Sequence, residues 1–371
     1  MIKVPFVDLT RQFQLMETDL TEIFKEVGRS GSYVSGEPVI QFEKEVAKFC
    51  GTKYALGVAN ATDGLSLAMK GLGIGPGDEV ITPTNSFIAS AGAIVAVGAT
   101  PVLIDTCHCF NLDPDKLEKL INSKTKAVMP VHLTGRPAEM DKITKICSDY
   151  NIDIIEDAAQ AIGAKYKGHR VGSLGTIGCF SLHPLKNLAV YGDGGFLTTN
   201  STQLYERIKL LRNHGLSDRN TCEEWGVNSR LDTLQAAIAL YKLPKLEELN
   251  LKFREIAKTY WEGLNNIVEA PTDKRGEYGV YHNYVIQVDE KDRDKLMEYL
   301  LFEHGVQTAI HYPKLIHTQP AAKNLGYRKS GDFPNAERLV KRMISLPIYP
   351  ELSNTKIRLV INGINSYFNL K

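Results

Sequence analysis

The sequence predicts an α/β protein. Its large domain is expected to rest on a mainly parallel sheet of the seven-stranded type, covered by helices and followed by a smaller C-terminal α+β domain. Three observations carry this expectation. Short apolar runs rich in β-branched residues alternate with helical patterns through the first half of the chain, as parallel strands joined by crossover helices do. From about residue 231 the alternation gives way to a longer helical stretch, LPKLEELNLKFREIAK, with apolar residues three and four apart. The length of 371 residues suits one large or two unequal domains.

In chain order, strands are expected at residues 54–58, 79–83, 101–104, 127–131, 152–156 and 177–182, each followed by turn residues. Helices are expected at 62–71, 86–97, 113–121, 137–150 and 202–212, several opening on Ser, Thr or Asp in a capping position. Residues 80–104 carry no charge, but Pro83, Asn85 and Pro101 interrupt them, so they read as a buried strand, helix and strand rather than a membrane span. Beyond the long helical stretch come a strand at 281–288, a helix at 292–304, a strand at 306–310 and a helix at 335–344. The domains are accordingly 1–244 and 245–371.

Composition narrows the function. Hydrophobic residues make up 43% and charged residues 23%, which excludes a disordered chain. A formal charge of +1, with no long basic run, gives a nucleic acid or an anionic membrane nothing to hold. Six cysteines without a Cys-x-x-Cys pair indicate neither a zinc module nor a disulfide framework, and suit a reducing, cytoplasmic setting. Cys107-His108-Cys109 lacks a second ligand pair, so no metal is expected.

In such sheets ligands bind beyond the carboxyl ends of the strands. After the first strand, Asn60-Ala61-Thr62 opens a helix whose free N–H groups suit a phosphate. Gly71-Leu72-Gly73-Ile74-Gly75 precedes a strand and lacks the dinucleotide spacing, and no Gly-x4-Gly-Lys-Ser/Thr pattern occurs. Asp157 follows a buried apolar strand, where a carboxylate needs a cation or a hydrogen-bond donor. Lys186 follows the next strand in a loop bracketed by Pro184 and Gly192, a setting in which desolvation frees an amine to attack a carbonyl. Together these supply what pyridoxal 5′-phosphate needs: a phosphate cradle, an acid for the pyridine nitrogen and a Schiff-base lysine.

The segments ANATDGLSLAMKGLGIGPGDEVITPTNSF, IEDAAQAIGA, FSLHPLKNLAVYGDGGF and GVNSRLDTLQAAI, in this order, resemble the DegT/DnrJ/EryC1/StrS family of nucleotide-sugar aminotransferases, which have the fold type I architecture. The likeness extends from VPFVDLTRQF to HYPKLIHTQPA. It implies that Lys186 forms the internal aldimine with pyridoxal 5′-phosphate, which cycles to pyridoxamine 5′-phosphate. Asp157 would meet the pyridine nitrogen, Gln160 the ring hydroxyl and Phe87 the ring face. Ala61, Thr62 and Ser181 would bind the phosphate, with Asn228 reaching it from the other subunit of a homodimer. Tyr33, His183, Arg230, Tyr312 and His317 are the candidates for the nucleotide sugar, and an amino acid, L-glutamate by resemblance, is the donor. Two departures stand out, since relatives often have Gly where this chain has Ala61, and Thr where it has Leu185. A subgroup with histidine in place of the lysine performs dehydration, and Lys186 favours transamination. A non-catalytic sugar-nucleotide-binding regulator is the other alternative, though a binder has no need of an electron sink.

Overall fold

A computed structural model describes residues 1–328 and 330–369. The central sheet contains β1 (Tyr54–Val58), β2 (Glu79–Pro83), β3 (Thr100–Ile104), β4 (Thr125–Val128), β5 (Asp153–Asp157), β6 (Ile177–Ser181) and β7 (Gly195–Thr199). Their spatial order is β1-β7-β6-β5-β4-β2-β3, and all are parallel except β7, which runs against both neighbours. The sequence pattern missed β7, because its TT end and the Gly194-Gly195 entry hide a segment that is buried throughout.

The helices are α1 (Leu9–Gln14), α2 (Glu17–Ser30), α3 (Glu37–Cys50), α4 (Ala61–Gly71), α5 (Ile88–Ala96), α6 (Met140–Asp149), α7 (Thr202–Leu211), α8 (Thr233–Lys242), α9 (Leu246–Leu264), α10 (Glu290–His304), α11 (Pro334–Arg342) and α12 (Asn354–Asn369). On one side of the sheet α3 and α8 cover Phe180 and Phe196, which face each other in the β6–β7 register and stack at 4.6 Å. On the other, α4 and α7 bury Leu65, Met69 and Ile208 against Leu56 and Leu197. Burying apolar side chains on both faces is what makes these strands read as continuous apolar runs. A second core gathers α9, α10 and α12 around the antiparallel pair β8 (Tyr284–Gln287) and β9 (Met343–Leu346), and Val4 packs into it. Among the described residues no helix is long and apolar enough to cross a membrane.

Several local expectations are corrected. Residues 113–121 form two short 3-10 turns, Pro114–Lys116 and Glu118–Leu120, because the fully buried Leu117 lays the segment flat on the core. Residues 306–310 make only isolated bridges, Val306 to Val4 and Ala309 to Ser345. The helix expected to run to 344 ends at Arg342, since the buried residues Met343–Leu346 pair with β8, and pairing in a buried sheet overrides a helical pattern. Cys107 and Cys109 are joined as a disulfide. The turn that returns the Phe110 N–H to the Cys107 carbonyl sets their Cα atoms 5.2 Å apart, inside the bridging range.

Candidate active site

The site is assembled at the carboxyl ends of β1, β5 and β6. Asn60 caps α4 by accepting the Asp63 N–H at 2.9 Å, and the Gly64 N–H returns to the Asn60 carbonyl. The first-turn N–H groups of Ala61 and Thr62 have no intrahelical acceptor and point outward with the positive end of the helix dipole. Gly195 lies so close that a Cβ there would stand 2.7 Å from the Asn60 carbonyl carbon and 2.8 Å from the Ala61 nitrogen. Ser181 pairs directly with Gly195 across β6 and β7, which puts it beside the same helix start. Cys179, two residues earlier, donates to the Ala61 carbonyl at 3.2 Å and pairs with Asp157 on β5. Strand register therefore brings the start of α4, Ser181 and Asp157 together.

Asp157 is 6% exposed. Its Oδ2 accepts from Ser90 of α5 at 2.7 Å and its Oδ1 from the Ala159 N–H at 3.2 Å. Burial nevertheless pushes its carboxyl up, against these bonds and the charge of Lys186. Such an acid is stabilised by a buried cation. Its main chain is fixed by His132, whose N–H donates to the Asp157 carbonyl at 3.0 Å. The His132 ring accepts the Ala138 N–H on Nδ1, so Nε2 carries the proton and donates to Glu156 at 3.0 Å. Gln160 accepts the Thr134 N–H at 2.7 Å and donates to the Tyr312 hydroxyl at 3.0 Å. The Tyr312 ring lies 5.2 Å from that of Phe87, which immediately precedes α5 and is half exposed. Burial raises the Tyr312 hydroxyl to about 12, so it stays protonated.

Lys186 faces the same space. Burial lowers its amine to about 8, outweighing the charge of Asp157. Its Nζ lies 3.4 Å from Nε2 of His282. Burial holds His282 well below its ordinary value, with Lys186 adding to the effect, and brings His311 down to about 4. His183, three residues before the lysine, is exposed and is lowered by partial desolvation and by Lys186.

The remaining residues singled out in the sequence lie farther out. Arg230 donates to Asn213 at 2.9 Å, and its buried Nε has no acceptor among the described residues. Asn228 is exposed, and Tyr33 is exposed with its hydroxyl on the Gly28 carbonyl. His317 packs inside the protein. Its side chain is fully buried, with Nδ1 2.7 Å from Thr84 Oγ1 and the ring 4.6 Å from Phe333. Sequence reasoning missed Ser90, His132 and His282. The first two carry no motif of their own, and His282 stands before a strand whose ladder partner is β9, far along the chain.

The donor set fits pyridoxal 5′-phosphate: free N–H groups at a helix start, a buried carboxyl short of a cation, a half-exposed aromatic ring at Phe87 and an amine with a lowered pKa. A model of the DegT/DnrJ/EryC1/StrS aminotransferase family matches residues 14–365. The chain is 42% identical over 366 residues to the dTDP-3-amino-3,6-dideoxy-alpha-D-galactopyranose transaminase of Aneurinibacillus thermoaerophilus, covering 98% of this chain and 99% of that one. It is 38% identical over 372 residues to a pleiotropic regulatory protein of Geobacillus stearothermophilus, covering 99% of both. Among solved structures, DesV of S. venezuelae superposes with a TM-score of 0.95 at 37% identity, again covering 99% of each chain.

Proposed function

The chain belongs to the DegT/DnrJ/EryC1/StrS aminotransferase family and is a pyridoxal-phosphate-dependent aminotransferase; from that premise we propose that it transfers an amino group from L-glutamate to the keto group of a nucleotide-linked deoxysugar in amino-sugar biosynthesis. The observation that carries this reading is the convergence of Lys186, Asp157 and the start of α4 on one cleft. When bound, pyridoxal 5′-phosphate supplies an aldehyde for an amine and a protonated ring that accepts the electrons released at a neighbouring carbon.

The protein's own groups do the rest. Asp157 holds positive charge at the ring nitrogen, and Gln160, fixed from both sides by Thr134 and Tyr312, offers its amide to the ring edge. Thr62, Ala61 and Ser181 take the phosphate, and Phe87 covers a ring face. Lys186, partly neutral near pH 8, is the nucleophile and the base that moves the proton. Tyr33, His183, Arg230 and Tyr312 line the route for the sugar, while His317 supports Thr84 beneath it.

The reading includes a homodimer in which Asn228 of the partner subunit completes the phosphate site. Trp225, 92% exposed, and the exposed Val227 lead up to Asn228 and offer apolar surface to such an interface. Its highly charged substrates do not cross a bilayer unaided, so the enzyme shares the compartment in which they are made, and the reading places both in the cytoplasm. A regulatory reading is favoured by the name of one relative, but a binder needs neither an amine freed near pH 8 nor a buried acid short of a cation. The test is to add L-glutamate to the cofactor-loaded enzyme. Loss of the visible absorbance with release of 2-oxoglutarate is expected, and restoration by a nucleotide ketosugar identifies the acceptor. Absorbance unchanged by glutamate or any other amino donor would leave the regulator.

A further inference from the structure

The most informative neighbour of Lys186 is one that none of the sequence motifs contains. His282 Nε2 lies 3.4 Å from Lys186 Nζ, and the backbone around each residue is tied to the other. On the His282 side, the Val280 N–H donates to the Gly135 carbonyl at 2.9 Å and the Asn283 N–H to the Thr134 carbonyl at 3.3 Å. Thr134 in turn donates its N–H to Gln160. At Gly135, where φ is +87°, a Cβ would come within 2.8 Å of the His282 nitrogen and 3.1 Å of the Gln160 carbonyl, so this crossing needs glycine.

On the Lys186 side, the next residue does the tying. Asn187 Nδ2 spends one proton on the Val280 carbonyl at 3.1 Å and the other on Asn250 Oδ1 at 2.8 Å. Asn250, 3% exposed on α9, passes its own Nδ2 to the Ile162 carbonyl at 3.1 Å, just beyond Gln160. Gly163 makes room for it, since a Cβ there would stand 2.5 Å from that nitrogen. Three residues after Lys186, the Ala189 carbonyl accepts from Lys242 of α8 at 2.8 Å. The lysine loop, the Gln160 loop and the entry to β8 are thus held in one frame.

We propose that His282 is a further catalytic residue: its Nε2 accepts a hydrogen bond from the free Lys186 amine and keeps that amine aimed into the cleft, with Asn187 and Asn250 acting as positioning residues that fix the distance between the two. A neutral imidazole has one acceptor nitrogen and a neutral amine two protons and a lone pair. Donating one N–H into Nε2 leaves the lone pair free for a carbonyl carbon. Without that acceptor the flexible lysine stem swings, and loss of a near-attack geometry costs up to about a hundredfold in rate.

The inference rests on the reading of Lys186 as the nucleophile, and its test has its own readout. Cofactor-free full-length enzyme is mixed with pyridoxal 5′-phosphate, and the visible absorbance that follows covalent capture of the aldehyde is timed. Affinity for pyridoxamine 5′-phosphate, which has no aldehyde to capture, is measured separately. His282→Leu should slow capture about tenfold or more while pyridoxamine phosphate affinity stays within about twofold, and His282→Gln, whose amide oxygen can accept the same bond, should recover most of the rate. Asn250→Ala should show the same pattern more weakly. Capture by His282→Leu at the wild-type rate, equal losses in capture and affinity, or no recovery in His282→Gln would each overturn the proposal. If the wild type captures no aldehyde, or Lys186→Ala captures it equally well, the reading of Lys186 itself fails.

Discussion

The floor of the cleft and its rim are built on different terms. On the floor, Asp157 is held by Ser90 and Ala159, Gln160 by Thr134 and Tyr312, and Ser181 by its register with Gly195. Asp157 and Ser181 stand at strand ends, and Gln160 is held between a main-chain N–H and a partly buried side chain. On the rim, Tyr33 is 60% exposed, Asn228 is exposed, and the buried Nε of Arg230 has no acceptor among the described residues. A preorganised floor stabilises developing charge without reorganising, whereas an open rim leaves its orientation to the substrate or a second subunit. In the proposed reading the floor fixes the chemistry and the rim selects the sugar.

The floor should fail most completely at Lys186. Lys186→Ala is expected to lower turnover about 10⁴-fold or more, because nucleophile and proton carrier vanish together. Circular dichroism should not change, since the amine bonds to His282 and holds no backbone group. Residual transamination within about tenfold of wild type would put the floor and rim on the same footing. A milder probe titrates the amine in the cofactor-free protein. Burial disfavours its charged form, so the proton leaves early as pH rises. Acylation of Lys186, followed by mass spectrometry, should be half-maximal near pH 8, against about 10.4 for an ordinary lysine.

Asp157→Asn comes next. The amide keeps the shape and can still accept from Ser90 or Ala159, but it brings no charge to the ring nitrogen. Turnover at saturating cofactor should fall about a hundredfold to a thousandfold. A variant that turns over at the wild-type rate would reduce Asp157 to a packing residue.

The same division explains what was legible in the sequence. Asp157, Lys186 and the Asn60-Ala61-Thr62 start of α4 follow buried strands, and strand ends can be read from apolar runs and the turns after them. What stayed hidden depends on contacts between distant segments. Ser90 meets Asp157 from another helix, and His132 is locked between Ala138 and Glu156. His282 meets Lys186 only because β8 pairs with β9 and its entry crosses Gly135. His317 is a different case: resemblance makes it a candidate for the nucleotide sugar, and packing sets its ring against Thr84 and Phe333, which no local pattern in HYPKLIHTQP announces.

Asn228 tests whether the rim is completed by a second subunit. A donor to a phosphate is a charge-assisted bond worth about 1.5–3 kcal/mol, so Asn228→Ala should weaken cofactor binding roughly tenfold to a hundredfold. Mixing Lys186→Ala chains with Asn228→Ala chains separates the two arrangements. If the contact crosses the interface, a mixed dimer holds one site with both defects and one with neither, and activity reappears at limiting cofactor. If Asn228 serves its own subunit, every site keeps one defect and no activity is recovered.

The smallest effect on catalysis is expected at His317, a sugar-pocket candidate by resemblance whose side chain the structure buries. Its side chain is fully buried, Nδ1 bonds to Thr84 Oγ1 at 2.7 Å, and Nε2 lies 3.8 Å from Glu337 on α11. Thr84 accepts nothing from solvent there, being buried itself, and its carbonyl takes the Ile316 N–H at 2.8 Å. His317→Ala therefore removes a bond inside the protein and opens a cavity beside Phe333, at a cost of about 1–3 kcal/mol in stability. The KM for the nucleotide sugar should stay within about twofold of wild type, because a buried ring has no substrate contact to lose. Thermal unfolding and KM measured on one preparation decide the matter. A lower melting temperature with an unchanged KM assigns His317 to the support beneath the rim. An unchanged melting temperature with a KM raised about tenfold would return it to the sugar pocket.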